Sequence, residues 1–342
     1  MMKYSQLLTI IRQNGCYEVT VKNPWKPGQV LHRYRLVPQD GLTSQPDSDE
    51  FTTIRIPISR ATVFTTVHCS LLTHLGVGSS IVGVADLKYI KIPYIHQRVS
   101  QGYISDCGNG LSPVVEKIID MKPQAILLSP FENSGGYGKV EQLGIPLVEC
   151  AEYMESSPLG RAEWMRFYGL LFGKQQQADS LFAMVDSSYQ VLKALAMKAP
   201  EHPKVLIDKM VGAVWYMPGG RSTIGQMVKD AGGNYPWAAD SHSGSLPLSF
   251  ETVLEHSGDA DHWLYRYSSN SMMKRTDLLI ENRGYQQVKA YKTSQVYGCN
   301  VERTLFYEQT PFRPDYLLGD FIQIFHPSIT TLPPLRYYTK ME

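Results

Sequence analysis

The chain of 342 residues has no uninterrupted apolar run of about 18 residues, which argues against a membrane-spanning helix. It has almost no net charge: 33 Lys and Arg stand against 32 Asp and Glu, without a basic run, so nucleic-acid binding has no electrostatic footprint. The five cysteines, Cys16, Cys69, Cys107, Cys150 and Cys299, form no CxxC pair and no ligand-spaced cluster. Their odd number cannot pair fully within one chain, and four lie in or beside apolar stretches, so buried free thiols are expected. Glycine is not arranged for phosphate: residues 135–138 read GGYG rather than GxGxxG, and no P-loop occurs. HExxH and GxSxG are missing too, and no Ser, His and Asp order suggests a triad. The nine His are scattered, and His68 and His74, six apart, fall on different helix faces. No catalytic residue is assigned, and metal coordination by protein side chains alone is not expected. The opening MMKYSQLLTIIRQNG lacks the apolar core and cleavage site of a signal peptide, which leaves either a cytosolic chain or one whose leader is no longer attached.

What is present begins with residues 174–199, which contain no Gly and no Pro. Ala178, Leu181, Phe182, Val185, Tyr189 and Leu192 recur at helical spacing, the one-sided stripe of an amphipathic helix. Such a helix would span roughly 35–40 Å, about the width of a small domain. It stands near the middle of the chain, between two halves patterned as strand and helix.

Before it, Asn14-Gly15 between alternating runs signals a hairpin, and 32–38 reads as a third strand. Residues 39–50 read as an exposed polar loop. Strands are then expected at 61–66, 81–84, 123–130 and 145–150, with a helix from His68 to Leu75 and another from Pro158 to Gly173. After the central helix, strands are expected at 204–210, 213–218, 261–267 and 294–300. Helices are expected at 222–233, 285–290 and 313–327. Alternation of this kind argues for parallel sheets flanked by helices. An internal echo supports two lobes of similar build: 112–129 and 248–266 each run from a helix start through Glu116 or Glu251 to a turn and a buried strand. The resulting fold class is α/β, with two α/β lobes joined by a single long rigid helix. Its parts are a β-rich preface (1–52), a first lobe (53–173), the linking helix (174–199) and a second lobe (200–342).

Several segments, in this order, resemble the periplasmic substrate-binding proteins of ABC importers for iron–siderophore complexes, haem and cobalamin. They are VVEKIIDMKPQAILLS, VEQLGIPLVE, the long helix, PGGRSTIGQMVKDAGGN, SFETVLEHSGDAD and RPDYLLGDFIQIFHP. The resemblance covers roughly 55 to 327 and leaves the preface unexplained. It implies lobes that move only modestly, a monomer in the periplasm with a lipid anchor as an option, and a permease dimer as partner. It also implies that Glu116 and Glu251 dock that permease. The residues themselves say only that each carboxylate is favoured near a helix N-terminus.

Ligands of α/β sheets lie beyond the carboxyl ends of the strands. That rule nominates His68, Asp86, Tyr89, Phe131, Glu132 and Tyr137 in the first half, and Trp215, Tyr216, Arg221, Tyr265, Arg266, Tyr307 and Arg313 in the second. Arg221 precedes a helix N-terminus, an anion-friendly place. Aromatic faces with Arg suit a bulky, flat or anionic ligand: an iron complex, haem or a corrinoid. No cofactor is expected beyond that transported ligand. Two other readings remain open: a two-lobed enzyme, such as a reductase subunit or sugar-nucleotide transferase, and a zinc or manganese carrier.

Overall fold

Asn14 and Gly15 take φ of 51° and 79°, the left-handed pair that closes a tight hairpin. That hairpin opens the computed structural model, which describes residues 2–39, 50–132 and 136–342. The chain forms two compact units, one of Met1–Glu155 with Leu159–Ala183, the other of Ser156–Pro158 with Met184–Glu342.

In the first unit, β1 (Leu8–Gln13), β2 (Cys16–Lys22), β3 (Val30–Pro38) and β4 (Thr52–Ile56) make a sheet in that order. β1, β2 and β3 pair antiparallel, whereas β4 runs parallel to β3, with Tyr34 opposite Thr52 and Pro38 opposite Ile56. The preface therefore gains a fourth strand that the sequence pattern did not assign. The exposed loop expected at 39–50 falls, for 40–49, outside the described residues. Two buried carboxylates tie the chain ahead of β1 to the unit. Glu163 accepts the backbone N–H groups of Lys3 (2.7 Å), Tyr4 (2.7 Å) and Ser5 (2.9 Å). Glu155 accepts those of Gln6 (3.0 Å) and Leu7 (3.1 Å), and Trp164 Nε1–H at 2.9 Å.

The second sheet of this unit contains β5 (Ala61–Val63), β6 (Ile81–Val84) and β7 (Ser105–Asp106). After the small hairpin of β8 (Gly108–Asn109) and β9 (Ser112–Pro113) come β10 (Ala125–Leu128) and β11 (Leu147–Glu149). The order is β11-β10-β5-β6-β7 and every pairing is parallel. β5, β6 and β10 are buried throughout, so they read as continuous apolar runs rather than alternating ones. The helix after β5, Thr66–His74, is capped by Thr65 and closed at Gly76, whose φ is 75°. One helix was expected from Pro158 to Gly173; two are found, Pro158–Glu163 and Met165–Leu171, parted at the buried Trp164.

The long helix is present as Gln175–Ala196. Ala178, Phe182, Val185 and Tyr189 form its buried stripe, as the periodicity requires.

The second unit has β12 (Val205–Ile207), β13 (Met210–Val211), β14 (Val214–Pro218), β15 (Ser245–Leu248), β16 (His262–Tyr267), β17 (Val296–Asn300) and β18 (Thr339–Lys340). The main sheet runs β12-β16-β17-β18, parallel except for β18. β14 is not part of it. It forms a separate antiparallel sheet, β13-β14-β15, because a short turn at Gly212 sends the chain straight back on itself. The helix expected at 222–233 is Thr223–Asp230, capped by Ser222 and stopped at Gly232. The one expected at 285–290 is a 3₁₀ turn, Arg283–Gln287, followed by Lys289–Lys292. The helix Pro314–Phe325 carries Asp320, which accepts the N–H groups of Arg336, Tyr337 and Tyr338.

The internal echo has a structural counterpart. Val115–Met121 leads into β10, which pairs with β5; Phe250–Ser257 leads into β16, which pairs with β12. In each unit the repeated helix-and-strand thus lies beside the first parallel strand. All five cysteines are free, four of them buried.

Candidate functional site

At the carboxyl edge of the first parallel sheet, polar side chains gather below the surface. His68 stands in the first turn after β5, and its Nδ1 meets Thr65 Oγ1. Its Nε2 lies 3.0 Å from Glu152 Oε1 and 3.0 Å from the Tyr168 hydroxyl, which also donates to Glu152 Oε2 at 3.0 Å. Cys150, directly after β11, completes the group, and all four residues are buried. Burial alone would lower the His68 imidazole, but Cys150 and Glu152 outweigh it and hold it above its ordinary value. Burial likewise opposes charge on Glu152, yet His68 and then Arg161 keep its carboxyl below the usual range.

A second polar group adjoins it through Glu149. That carboxylate faces His32 Nδ1 at 2.8 Å and accepts the Tyr137 hydroxyl at 2.7 Å, while the Glu149 N–H donates to Tyr34 Oη at 2.8 Å. Strand β3 therefore reaches the edge of the parallel sheet with two side chains, His32 and Tyr34.

Of the residues nominated here, the structure brings His68 and Tyr137 into these networks. Asp86 takes a left-handed φ of 52° and accepts the Gly110 N–H at 3.0 Å, so it shapes the loop after β6. Tyr89, Phe131 and Glu132 are exposed. Among the residues of the networks, Thr65, Tyr168, His32, Tyr34, Glu149, Cys150 and Glu152 were not nominated. Glu149 ends β11, and Cys150 and Glu152 follow it; the sequence did indicate that strand, so the strand-end rule would have found them. The metal-motif search could not, because His68 and Glu152 meet across 84 positions.

At the carboxyl edge of the second parallel sheet, Asp208 follows β12 with a left-handed φ of 58°. It holds Arg266 through two hydrogen bonds, 3.0 and 2.5 Å, and the guanidinium lies 5.6 Å from the Phe306 ring and 6.0 Å from that of Tyr307. Tyr307 is exposed. A groove of about 410 Å³ beside the end of β12 is lined by Lys209, Met210, Val211, Gly212, Glu281, Asn282 and Tyr285, none of them nominated from sequence.

Three nominations in this unit are corrected. Trp215 is 1% exposed; its Nε1–H bonds Ile207 O at 3.0 Å and its ring packs on Trp263 and Tyr285. Tyr265 is fully buried between Trp263 and Tyr267. Both rings belong to the core and have no face to offer. Arg313 is paired to Asp315 at 2.9 and 2.8 Å and stacked 3.6 Å from the Tyr316 ring, a structural clamp. Tyr216 is exposed but on antiparallel β14, so the strand-end rule does not reach it. Arg221 is exposed just before the Ser222 cap.

Glu116 and Glu251 are both exposed, one in each unit, each in the first turn of its helix. Among the described residues no helix is long and apolar enough to cross a membrane.

Comparisons with known proteins agree with this architecture. An uncharacterised lipoprotein of Methanocaldococcus jannaschii is 27% identical over 82% of this chain and 68% of its own length. A periplasmic haem-binding protein of Pseudomonas aeruginosa superposes with a TM-score of 0.63 at 16% identity, over 83% of this chain and 98% of that one. An Fe³⁺-hydroxamate transport protein of Saccharomonospora viridis gives 0.62 at 17% identity, over 79% and 94%. These likenesses show the fold, two α/β lobes. Residues 63–302 match the family described as periplasmic binding protein, and the chain belongs to it.

Proposed function

We propose that the protein is the substrate-binding component of an ABC importer, capturing an iron complex (siderophore or haem) or a corrinoid such as cobalamin and delivering it to a permease dimer. It works in the periplasm as a monomer, tethered by a lipid anchor in the manner its lipoprotein relatives' names suggest. The observation that carries the delivery step is the pair Glu116 and Glu251: equivalent positions of the internal repeat, both exposed, one per unit. Two isolated carboxylates so placed suit two cationic sockets on a dimeric partner. Ligand contacts fall to exposed Arg and aromatic side chains: Tyr89 and Phe131 in the first unit, Tyr216, Arg221 and Tyr307 in the second.

A thermal-shift panel of haem, cobalamin, cobinamide and ferric siderophores tests the reading. A tight ligand at about 100 times its dissociation constant should stabilise the fold by roughly 2.7 kcal/mol. Stabilisation by nucleotide sugars alone, with none of the panel active, would replace the importer by an enzyme.

A further inference from the structure

In the first unit, His68, Cys150 and Glu152 present a nitrogen, a sulfur and a carboxylate oxygen within 4.8 Å of one another, and all three residues are buried. From this geometry we infer a site for one bare divalent cation of the zinc class, held by His68 Nε2, the Cys150 thiolate and a Glu152 oxygen, with the Tyr168 oxygen at the fourth position. The inference goes beyond the importer reading: the ion is resident in the unit and is not the cargo.

The donor set selects the metal. Nitrogen, thiolate and carboxylate together suit zinc or cobalt, whereas magnesium and calcium take oxygen alone. The dimensions fit. Zinc bonds of about 2.0–2.3 Å place tetrahedral ligand atoms roughly 3.3–3.8 Å apart. His68 Nε2, Glu152 Oε1 and the Tyr168 oxygen now stand at hydrogen-bond separations of 3.0 Å, so a cation enters by parting them a few tenths of an ångström. The outer contact is also in place. Thr65 Oγ1 sits against Nδ1 of His68, which fixes the ring with Nε2 toward the cluster, as partners of metal-bound histidines do. A cation takes the place of the protons these groups now share: His68 and Cys150 release theirs, and Nε2, the thiolate and a Glu152 oxygen become its donors. Thiolate and carboxylate balance its two charges, the condition for burying it. Burial of all three ligands leaves no open face for a chelate, which separates this ion from an iron complex or corrinoid.

The test uses the full chain, stripped with a chelator in denaturant, refolded under a non-thiol reductant and titrated with Co²⁺. One equivalent should bind and give a thiolate-to-cobalt charge-transfer band in the near ultraviolet. Cys150→Ser should remove the band, Cys16→Ser should keep it, and Glu152→Gln should weaken affinity roughly tenfold or more. Zn²⁺ should displace the cobalt, raise the melting temperature of the wild type, resist EDTA while the protein is folded, and leave the affinity for haem or a ferric siderophore unchanged. Folded wild-type protein that takes up no Co²⁺, or a band surviving in Cys150→Ser, would overturn the site; the wild-type arm decides even where a variant misfolds. Zinc competing with a bound complex, or lost at once to EDTA, would overturn residence. The importer reading fails separately, only where no complex binds.

Discussion

Glu163 is the fixed point for the chain ahead of β1, and its replacement has a calculable cost. Its Oε1 accepts Lys3 N–H at 2.7 Å and Arg166 Nη1 at 3.1 Å; its Oε2 accepts Tyr4 N–H at 2.7 Å and Ser5 N–H at 2.9 Å. Hydrogen bonds to a charged group contribute about 1.5–3 kcal/mol each, but bonds sharing one acceptor group do not add. Glu163→Ala strands three part-buried N–H groups and takes from Arg166 one of its two carboxylate partners, so about 3–5 kcal/mol is expected. In Glu163→Gln the amide oxygen can still serve one pair of donors, while its NH₂ confronts the other two; about 2–3 kcal/mol is expected. Asp179→Ala provides the control, because it loses only the exposed ion pair with Arg166, at most about 1 kcal/mol. Urea unfolding followed by circular dichroism measures all three, and hydrogen exchange at residues 3–8 should rise sharply in the alanine variant. A loss below about 0.5 kcal/mol for Glu163→Ala would refute the claim that this carboxylate anchors the segment.

Glu116→Ala and Glu251→Ala should each cost only the helix-dipole amount, ~0.3–1 kcal/mol, and leave ligand affinity unchanged, while binding to permease-containing membranes falls and falls further with Arg; unimpaired membrane binding by both would remove the docking role. Arg221→Ala should weaken ligand binding with a stability change within about 0.5 kcal/mol, measured by titration and melting; equal affinity would take Arg221 out of the site. Burial holds the His262 imidazole below its ordinary value, and its Nδ1 has no hydrogen-bond partner among the described residues. The unfolded chain therefore binds that proton first, so this contribution to stability is whole above about pH 6.5 and is lost as pH falls through the lower folded value. Urea midpoints at about pH 7.5 and about pH 5.5 should differ less in His262→Gln than in the wild type; an unchanged difference would exclude His262 as a source.

Local chemistry made much of the fold legible. Asn14-Gly15 announces its hairpin, Gly76 and Gly232 stop their helices, and the strand Ile81–Val84 stands where its apolar run puts it. What stayed hidden depends on which face a residue takes and which distant segment it meets. Along β14, Trp215 turns inward and Tyr216 outward, so one aromatic pair contains a core residue and an exposed one. An aromatic residue at a strand's end reads alike in both roles. β4 belongs beside β3 only because two separated runs happen to pair in parallel, and no turn motif marks that choice. The meeting of His68 with Cys150 and Glu152 was hidden for the same reason: the strand-end rule reaches each of them, but only the formed sheet brings them together across 84 positions.

The unpaired cysteines have a consequence for how the protein survives outside a reducing cell. Exchange with a disulfide requires a thiolate that a partner can approach in line. Burial pushes the Cys107 and Cys299 thiols up to about 11 and raises that of Cys69 further, so the folded chain withholds both the reactive form and the approach. Protection of these thiols is thus a property of the native state alone. A chain threading through an oxidising compartment is vulnerable until its sheets close, and folding there becomes a race against mispairing. Refolding in air should scramble such a chain, whereas the finished protein leaves only the half-buried Cys16 within an oxidant's reach.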